Sequence, residues 1–508
     1  MQDDLFSSQH IAARVAHRSA ASSAASRTVT DNLPTLPTQQ ALRAAEASLP
    51  NPSSAEYLAG QDATAVCEHI VRDIVPALNG QGSSARYYGF VTGGVLPVAE
   101  WADNVVSRLD QNVQVHLPEQ TVATAVEDAA LEMLVHVLGL SDGGQQWSGR
   151  TFTTGATASN VIGLACGREV SVANKAPGKD ASVGELGLLA ACATAGVSEI
   201  QVLTSAGHSS LYKAAGIMGI GRASVKELPA AQDQPWKLNL DALEAALSKE
   251  GTASIIAISA GDVNSGRFAL AGKAEWVRVR KLADKYGAWI HVDGAFGIFG
   301  KVLPKDDSQY ALIHERLEGI ELADSITVDG HKLLNVPYDC GMFFTRSAAT
   351  LQAVFTNPNA AYLSSSSAAS IASPLNIGLE NSRRFRALPA YAVLLSEGRP
   401  GLAALVGNMV LLARHIAEYL RDSPHYDLLP DEPASFDEVF MVTLFRAKDD
   451  ALNQVLVDKI NATRDVYVSG TSWAGRKAVR VAVSNWRVDV ERDFAVVKKV
   501  LDGVAEQQ

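Results

Sequence analysis

Two stretches of the chain, WIHVDGAFG at residues 289–297 and SITVDGHKLL at residues 325–334, decide the fold. Each is a short run rich in apolar and β-branched residues that ends in Asp-Gly, as a buried strand ends at a turn. A carboxylate at the end of a buried strand is costly unless it meets a positive partner. We therefore expect Asp293 to face a cation, with a helix cap as the alternative. Lys332, which follows the second strand, is either a reactive amine or an ordinary surface lysine.

Outward from these stretches, short apolar runs alternate with helical patterns. This alternation predicts crossover units and a mostly parallel sheet that is buried on both faces and binds ligands at the carboxyl ends of its strands. The predicted fold class is therefore α/β. The predicted strands are residues 151–154, 199–205, 254–259, 289–293, 325–329 and 341–345, and the helices between them are residues 156–170, 209–218 and 273–286.

The two ends of the chain have other patterns. Residues 1–35 read as a disordered polar arm, and residues 36–110 as a helical segment that wraps the main domain or another subunit. We expect residues 111–399 to form the large domain and residues 400–508 a smaller α/β domain with an antiparallel sheet. The elements predicted in this smaller domain are helices at 401–421 and 488–504, and strands at 439–445, 466–470 and 478–484.

Composition excludes several classes of protein. The 508 residues are 47% hydrophobic and 19% charged, which is a globular composition, and the net charge of −11 argues against nucleic acid or an anionic membrane as the partner. No pair of the four cysteines has C-x-x-C spacing, so we expect no metal site and no disulfide framework. The acidic N-terminus lacks the apolar run of a secretory signal, and we expect a cytoplasmic protein.

Further polar groups follow the predicted strands. The stretch Thr154–Asn160, between a strand and a helix, offers backbone amides and hydroxyl groups to an anion, with an ordinary helix cap as the alternative. His208 is placed to stack on an aromatic ligand, or is a bystander beside a helix cap. The basic cluster at residues 382–386 could hold an anion or a dimer edge, or be a solvated face.

Taken in order, these groups resemble the group II amino-acid decarboxylases, which depend on pyridoxal 5'-phosphate (PLP) and include aromatic-amino-acid, tyrosine, histidine and glutamate decarboxylases. The resemblance runs from YYGFVTGG at 87–94 to SNWR at 484–487 and is most specific in HVDGAFG and DGHKLL. It implies the type I PLP-dependent (aspartate aminotransferase-like) fold. It also implies a homodimer with the active site at the subunit interface and an amino acid as substrate.

The resemblance assigns roles to individual residues. Lys332 corresponds to the lysine that binds PLP covalently, Asp293 to the carboxylate that pairs with the pyridine nitrogen, and His208 to the histidine that stacks over the ring. Asp329 stands where some members have Asn, and we do not expect it to contact the phosphate directly. The remaining cofactor positions are Ala295 under the ring, Asn264 near the ring, and Ala156, Thr157, Ser325 and His331 on the phosphate side.

Tyr362 in NPNAAYLSSSS bears on the reaction type. It resembles the catalytic-loop tyrosine that returns a proton to Cα, whereas members with Phe there tend to form aldehydes; an exposed loop aromatic is the alternative. The resemblance therefore implies simple decarboxylation. Decarboxylative oxidation, lyase or aminotransferase chemistry, and a catalytically silent scaffold are the alternatives.

The aromatic residues of the N-terminal segment favour an aromatic amino acid as substrate. A glutamate decarboxylase would place a basic or amide group there, and Arg86 is a possible counterexample. The residues expected to form the substrate wall, together with a partner subunit, are Tyr87, Tyr88, Phe90 and Thr92.

Overall fold

A seven-stranded sheet forms the centre of the protein. The computed structural model describes residues 35–141, 144, 146–357, 371–430 and 436–506. The strands are β1 (Asn112–Val113), β2 (Gly149–Thr153), β3 (Glu199–Thr204), β4 (Val225–Glu227), β5 (Thr252–Ser259), β6 (Trp289–Asp293), β7 (Ser325–Asp329), β8 (Gly341–Thr345), β9 (Arg383–Arg384), β10 (Tyr426–Leu429), β11 (Val442–Ala447), β12 (Ser469–Trp473) and β13 (Arg476–Ala482).

The central sheet has the order β2-β8-β7-β6-β5-β3-β4. Strands β7, β6, β5, β3 and β4 are parallel neighbours, whereas β8 lies antiparallel to both β2 and β7. The mostly parallel sheet that the sequence predicts is thus confirmed. The reversed β8 was not anticipated, and its cause is the connection from β7, which is too short for a crossover helix of full length.

Helices cover both faces of this sheet. The helices are α1 (Gln39–Ser48), α2 (Ala63–His69), α3 (Pro97–Arg108), α4 (Ala123–Val137), α5 (Ala156–Ala173), α6 (Val183–Leu186), α7 (Leu188–Ala195), α8 (Ser209–Ile217), α9 (Leu240–Leu247), α10 (Lys273–Tyr286), α11 (Ala311–Leu317), α12 (Gly330–Leu333), α13 (Ala348–Phe355), α14 (Ala387–Asp422), α15 (Asp450–Ala462) and α16 (Val490–Glu506).

Strand β5 shows how the two faces are built. All of its residues are buried. Because side chains alternate along a strand, Ile256 and Ile258 join one core cluster, while Ile255 and Ala257 join the cluster on the other face with Val161 and Leu164 of α5. A strand enclosed in this way reads as a continuous apolar run, which explains why the sequence identified it.

The C-terminal region forms a four-stranded antiparallel sheet in the order β10-β11-β13-β12. Strand β11 begins at Val442, later than expected, and β12 begins at Ser469 because the chain before it pairs with the N-terminal segment, where Tyr467 bridges Tyr87. The long helix α14 has non-helical backbone angles at Gly398, close to the predicted domain boundary at residue 400.

Helix α14 is also long and apolar enough by composition to cross a membrane. More than half of its most apolar window is buried inside the protein, where it packs against α3, α4 and α16. Burial of this kind is typical of a core helix of a folded domain.

The N-terminal segment leaves an apolar surface uncovered. None of the residues of α2, of the π turn Ile70–Ile74 or of the 3₁₀ turn Val75–Ala77 is buried. The exposed apolar side chains of this surface, called here the N-terminal apolar face, are Val66, Ile70, Val71, Val75 and Leu78.

Candidate active site

Polar side chains meet at the carboxyl edge of the central sheet. Asp293 ends β6 and Asp329 ends β7, while His208 lies four residues after the end of β3 and caps helix α8. The register places Asp293 between Ser259 of β5 and Thr327 of β7. The structure thus brings together the polar groups that the sequence singled out, at the edge where parallel sheets bind ligands.

Lys332 lies on the short helix α12 and forms an ion pair. Its Nζ is 2.9 Å from Oδ2 of Asp329, and the other oxygen of that 2%-exposed carboxylate has no hydrogen-bond partner among the described residues. The backbone of Gly93 lies against the carbonyl of Lys332 so closely that a Cβ at Gly93 would come within 1.8 Å of it. The N-terminal segment is therefore packed directly onto the lysine.

Asp293 accepts a hydrogen bond on each carboxylate oxygen. Oδ1 accepts from the backbone N–H of Ala295 at 3.2 Å, and Oδ2 accepts from Nδ2 of Asn160 at 3.0 Å. The turn-capping alternative is therefore realised through Ala295, but it uses only one oxygen. Asn160, which holds the other, belongs to the Thr154–Asn160 stretch that the sequence marked as an anion site, but its contact with Asp293 was not predicted.

His208 caps helix α8 with its own ring. Its Nδ1 accepts from the backbone N–H of Ser210 at 3.2 Å and lies 2.7 Å from the Ser210 hydroxyl. Loss of water around the ring lowers its pKa from 6.5; Lys332 and Arg480 act in the same direction, and Asp293 opposes them. Near neutral pH the ring is therefore uncharged, with the proton on Nε2.

The start of helix α5 is a candidate anion site. In the part of the chain that the structure describes, no side chain caps this 18-residue helix, and Thr154 and Thr157 are exposed beside it. Backbone N–H groups at such a terminus attract anions. His331 lies next to Gly155 there and stacks on Tyr338, with ring centroids 4.0 Å apart. Burial lowers the pKa of His331 and so disfavours its charged form.

Arg480 of β13 is a site residue that the sequence reasoning missed. It is 5% exposed, its Nη1 donates to the carbonyl of Phe90 at 2.6 Å and its Nε donates to the carbonyl of Val263. Within the described chain its Nη2 has no partner, and burial lowers its pKa to about 10. A charged residue inside the apolar run AVRVAVS is the signal that could have identified it.

Two predicted assignments are wrong. Ser325 begins β7, at the opposite end from the site, and its hydroxyl is bonded to Trp289 and His291 rather than open to a phosphate. Tyr88 is fully buried in the core, where removal from water raises the pKa of its hydroxyl, so it does not line a substrate wall.

Other predicted residues have mixed positions. Asn264 accepts a hydrogen bond from Thr471 of β12, in the four-stranded sheet, at 2.8 Å. Tyr87 is buried against Tyr467, whereas Phe90 is 63% exposed. Thr92 is buried, with its backbone bonded to Ser484. Ala156 begins α5, Ala295 is buried two residues after Asp293, and their roles toward the cofactor stay predictions. Tyr362 lies outside the described residues.

The basic cluster at residues 382–386 carries no free charge. Arg383 pairs with Glu127, Arg384 with Asp103 and Arg386 with Asp339. An anion site there is not supported. Arg86, the possible counterexample to an aromatic substrate, pairs with buried Asp493 at 2.9 Å.

Comparison with known proteins gives the context for this geometry. Residues 98–442 match the pyridoxal-dependent decarboxylase conserved domain. L-2,4-diaminobutyrate decarboxylase of Acinetobacter baumannii is 27% identical over 379 residues, which cover 70% of this chain and 69% of that protein. Tyrosine decarboxylase 2 of Arabidopsis thaliana is 26% identical over 54% of this chain, and the match spans 50% of its own length.

Comparison with solved structures gives the same family of proteins. The crystal structure of Oryza sativa TDC with PLP and tryptamine aligns with a TM-score of 0.77 at 19% identity and covers 99% of both chains. This likeness confirms the predicted type I fold. The domain match confirms PLP as the cofactor and a PLP-dependent carboxy-lyase as the enzyme class. Because the domain match at residues 98–442 covers more than half of this chain, the chain belongs to the pyridoxal-dependent decarboxylase family.

Proposed function

We propose that this chain is a homodimeric, cytoplasmic decarboxylase of an aromatic L-amino acid, and that Lys332, Asp293 and His208 hold its PLP. The observation that carries the proposal is the meeting of an amine, a carboxylate, an imidazole and an uncapped helix start at one edge of one sheet. These four groups match the aldehyde, the pyridine nitrogen, the ring face and the phosphate of the cofactor.

The donor set fits PLP well, with one exception. Lys332 would bind the aldehyde carbon, Asp293 would keep a proton on the pyridine nitrogen, and the small Ala295 would leave room for the ring. The start of α5 would receive the phosphate. The exception is Asp329, whose unpartnered oxygen lies beside Gly155 at the start of that helix.

When bound, PLP supplies a conjugated ring that accepts the electron pair left on Cα as CO₂ departs. The protein's own residues would hold the ring in place and cover it. Asp293 would stabilise positive charge on the ring nitrogen, and His208 would cover one ring face. Tyr362 would deliver the proton to Cα; this role stays a prediction, because the residue lies outside the described residues.

The position of Arg480 supports the proposal that the substrate is an amino acid whose α-carboxylate binds at this guanidinium. A buried guanidinium with an unused N–H needs an anionic partner, and a substrate carboxylate supplies one. The same guanidinium holds the backbone of the exposed Phe90. An aromatic side chain of a substrate beside Phe90 would cover apolar surface, which favours aromatic over acidic substrates.

The N-terminal apolar face supports a homodimer. Exposing five neighbouring apolar side chains to water is unfavourable, and burying them against a partner would be stabilising. A second copy of this chain is the partner that the family resemblance implies. Val71→Glu should convert the dimer to a monomer in sedimentation velocity. A Val455→Glu variant, which changes an exposed apolar residue of α15, should remain dimeric.

The deciding experiment is a substrate panel with product identification. The PLP-loaded enzyme is assayed with tyrosine, tryptophan, phenylalanine, glutamate and 2,4-diaminobutyrate, and CO₂, amine, aldehyde and peroxide are each measured. We expect amine and CO₂ from an aromatic amino acid and none from Lys332→Ala. Aldehyde with oxygen uptake would replace simple decarboxylation by the oxidative alternative, and Tyr362→Phe should shift products in that direction.

A further inference from the structure

Asn160 occupies a central position beneath the proposed cofactor site. It lies on α5, is 0% exposed, and its amide makes four hydrogen bonds. Nδ2 contacts Asp293 Oδ2 at 3.0 Å and Ser210 Oγ at 3.1 Å, and Oδ1 contacts His291 Nε2 at 2.9 Å and Thr327 Oγ1 at 3.1 Å. An amide can form no more than this with its two N–H groups and two lone pairs.

The direction of each of these hydrogen bonds is fixed by chemistry. A carboxylate only accepts, so the NH₂ group of Asn160 must face Asp293, and its oxygen must face His291 and Thr327. His291 therefore carries its proton on Nε2. Because burial lowers the pKa of His291 to about 4, the ring is neutral and its Nδ1 is an acceptor.

The network continues below His291. Nδ1 accepts from the Ser325 hydroxyl at 2.8 Å, and that oxygen accepts from Nε1 of Trp289 at 2.9 Å. Both ring nitrogens of His291 are thus used, and the plane of the ring is set. Gly163 packs against it so tightly that a Cβ there would come within 2.3 Å of the His291 ring.

A second branch leads from Asn160 to the other side of the site. Its remaining N–H donates to Ser210 Oγ, whose own proton is then directed to Nδ1 of His208 at 2.7 Å. One buried amide therefore contacts the carboxylate assigned to the pyridine nitrogen and, through one hydroxyl, the imidazole assigned to the ring face.

We propose that Asn160 is a positioning residue that fixes Asp293 and His208 in one geometry, and that neutral His291 fixes the amide of Asn160. This inference deepens the proposed function, since it rests on Asp293 and His208 facing the cofactor. Its physical content is preorganisation: the two groups that hold the ring are oriented before the cofactor binds, by donors that carry no net charge.

The test measures PLP binding without substrate. The Kd for PLP, the visible circular dichroism of the bound cofactor and the Tm of the apo-protein are compared for the wild type, Asn160→Ala and Asn160→Asp. Asn453→Ala is the matched control, because Asn453 is a buried amide of the small domain bonded to Ala447 and Lys477. We expect roughly tenfold or greater loss of PLP affinity and a weaker dichroic band in Asn160→Ala. Asn453→Ala should lower only Tm.

Asn160→Asp adds a pH signature that a merely structural role would not give. It places a carboxylate against Asp293, and PLP affinity should recover as pH falls and that new group takes up a proton. If Asn160→Ala does not fold, Thr327→Val removes one contact of Asn160, and Ser210→Ala removes another together with the hydrogen bond to His208. Each should give a smaller loss of the dichroic band.

Two outcomes distinguish failure of this inference from failure of the proposed function. The positioning role alone would be overturned if the Asn160 variants keep the wild-type Kd for PLP and the wild-type dichroism while Asp293→Asn changes both. Unchanged PLP binding in both Asp293→Asn and Lys332→Ala would overturn the proposed site itself, and the inference with it.

Discussion

Asp293 and Asp329 end neighbouring strands of one sheet, yet their carboxylates are held in opposite ways. Asp293 receives one neutral donor on each oxygen. Asp329 has Lys332 at 2.9 Å and the ring of His331 at 3.6 Å on one oxygen, and no hydrogen-bond partner among the described residues on the other. The first carboxylate is oriented whatever happens to the cofactor. The second depends on Lys332 remaining an ammonium group, so binding of PLP at Lys332, as we propose, would change its environment.

The largest effect should come from removing the cation that Asp329 uses. Lys332→Ala should abolish decarboxylation, and it should also lower the free energy of unfolding of the apo-protein by about 3 kcal/mol, because a buried carboxylate loses its partner. Chemical denaturation of the apo-protein measures the second effect. Adding Asp329→Asn should restore stability but not activity, and a double variant as unstable as Lys332→Ala would show that the pair is not coupled.

Asp293 should show the reverse balance of effects. Asp293→Asn should lower kcat about 100-fold at saturating PLP, since a neutral amide does not hold the ring nitrogen in its protonated form. The Tm of the apo-protein should fall less than in Lys332→Ala, because Asn keeps one accepting oxygen for one of the two donors, Asn160 and Ala295, while its NH₂ group faces the other without leaving an unpaired charge. Steady-state kinetics beside thermal unfolding measure the two quantities, and a loss of stability without loss of kcat would contradict the assignment.

The neutral network behind Asp293 predicts a pH dependence of stability. The pKa of His291 is about 4 in the folded protein and near 6.5 when unfolded, so the unfolded state binds more protons between these values. Stability from this group is therefore complete above pH 6.5 and falls by about 3 kcal/mol towards pH 4. His291→Gln, neutral at all pH values, should lose less stability than the wild type over that range. Equal slopes of unfolding free energy against pH in the two proteins would show that His291 takes up its proton in the folded state as readily as in the unfolded state.

The smallest effect should come from neutralising Asp329 while keeping Lys332. Asp329→Asn should increase PLP affinity by roughly fivefold, because it removes a negative charge beside the start of α5, where the phosphate would bind. Pyridoxal, which lacks the phosphate, is the control ligand and should gain less. An equal gain for both ligands would show that Asp329 acts through Lys332 alone.

Most of the central sheet was predictable, because strands enclosed on both faces are continuous apolar runs with polar residues at their ends. This is why Lys332, Asp293 and His208 were identified together. Contacts between separate elements are not local in sequence, so the contact of Asn160 with Asp293 and the position of Arg480 were missed. Ser325 was misassigned because a strand's two ends face opposite edges of the sheet. The reversed β8 was missed because apolar periodicity carries no strand direction.

The contacts of Arg480 have a consequence for engineering this protein. One guanidinium joins the carbonyl of Phe90 in the N-terminal segment, the carbonyl of Val263 in the large domain and its own strand β13. The proposed substrate wall is therefore tied to β13 and to Val263, and residues 86–94 cannot be exchanged as an independent loop. A chimera that imports residues 86–94 from a relative should inherit that relative's specificity only if the strand carrying residue 480 is exchanged with it.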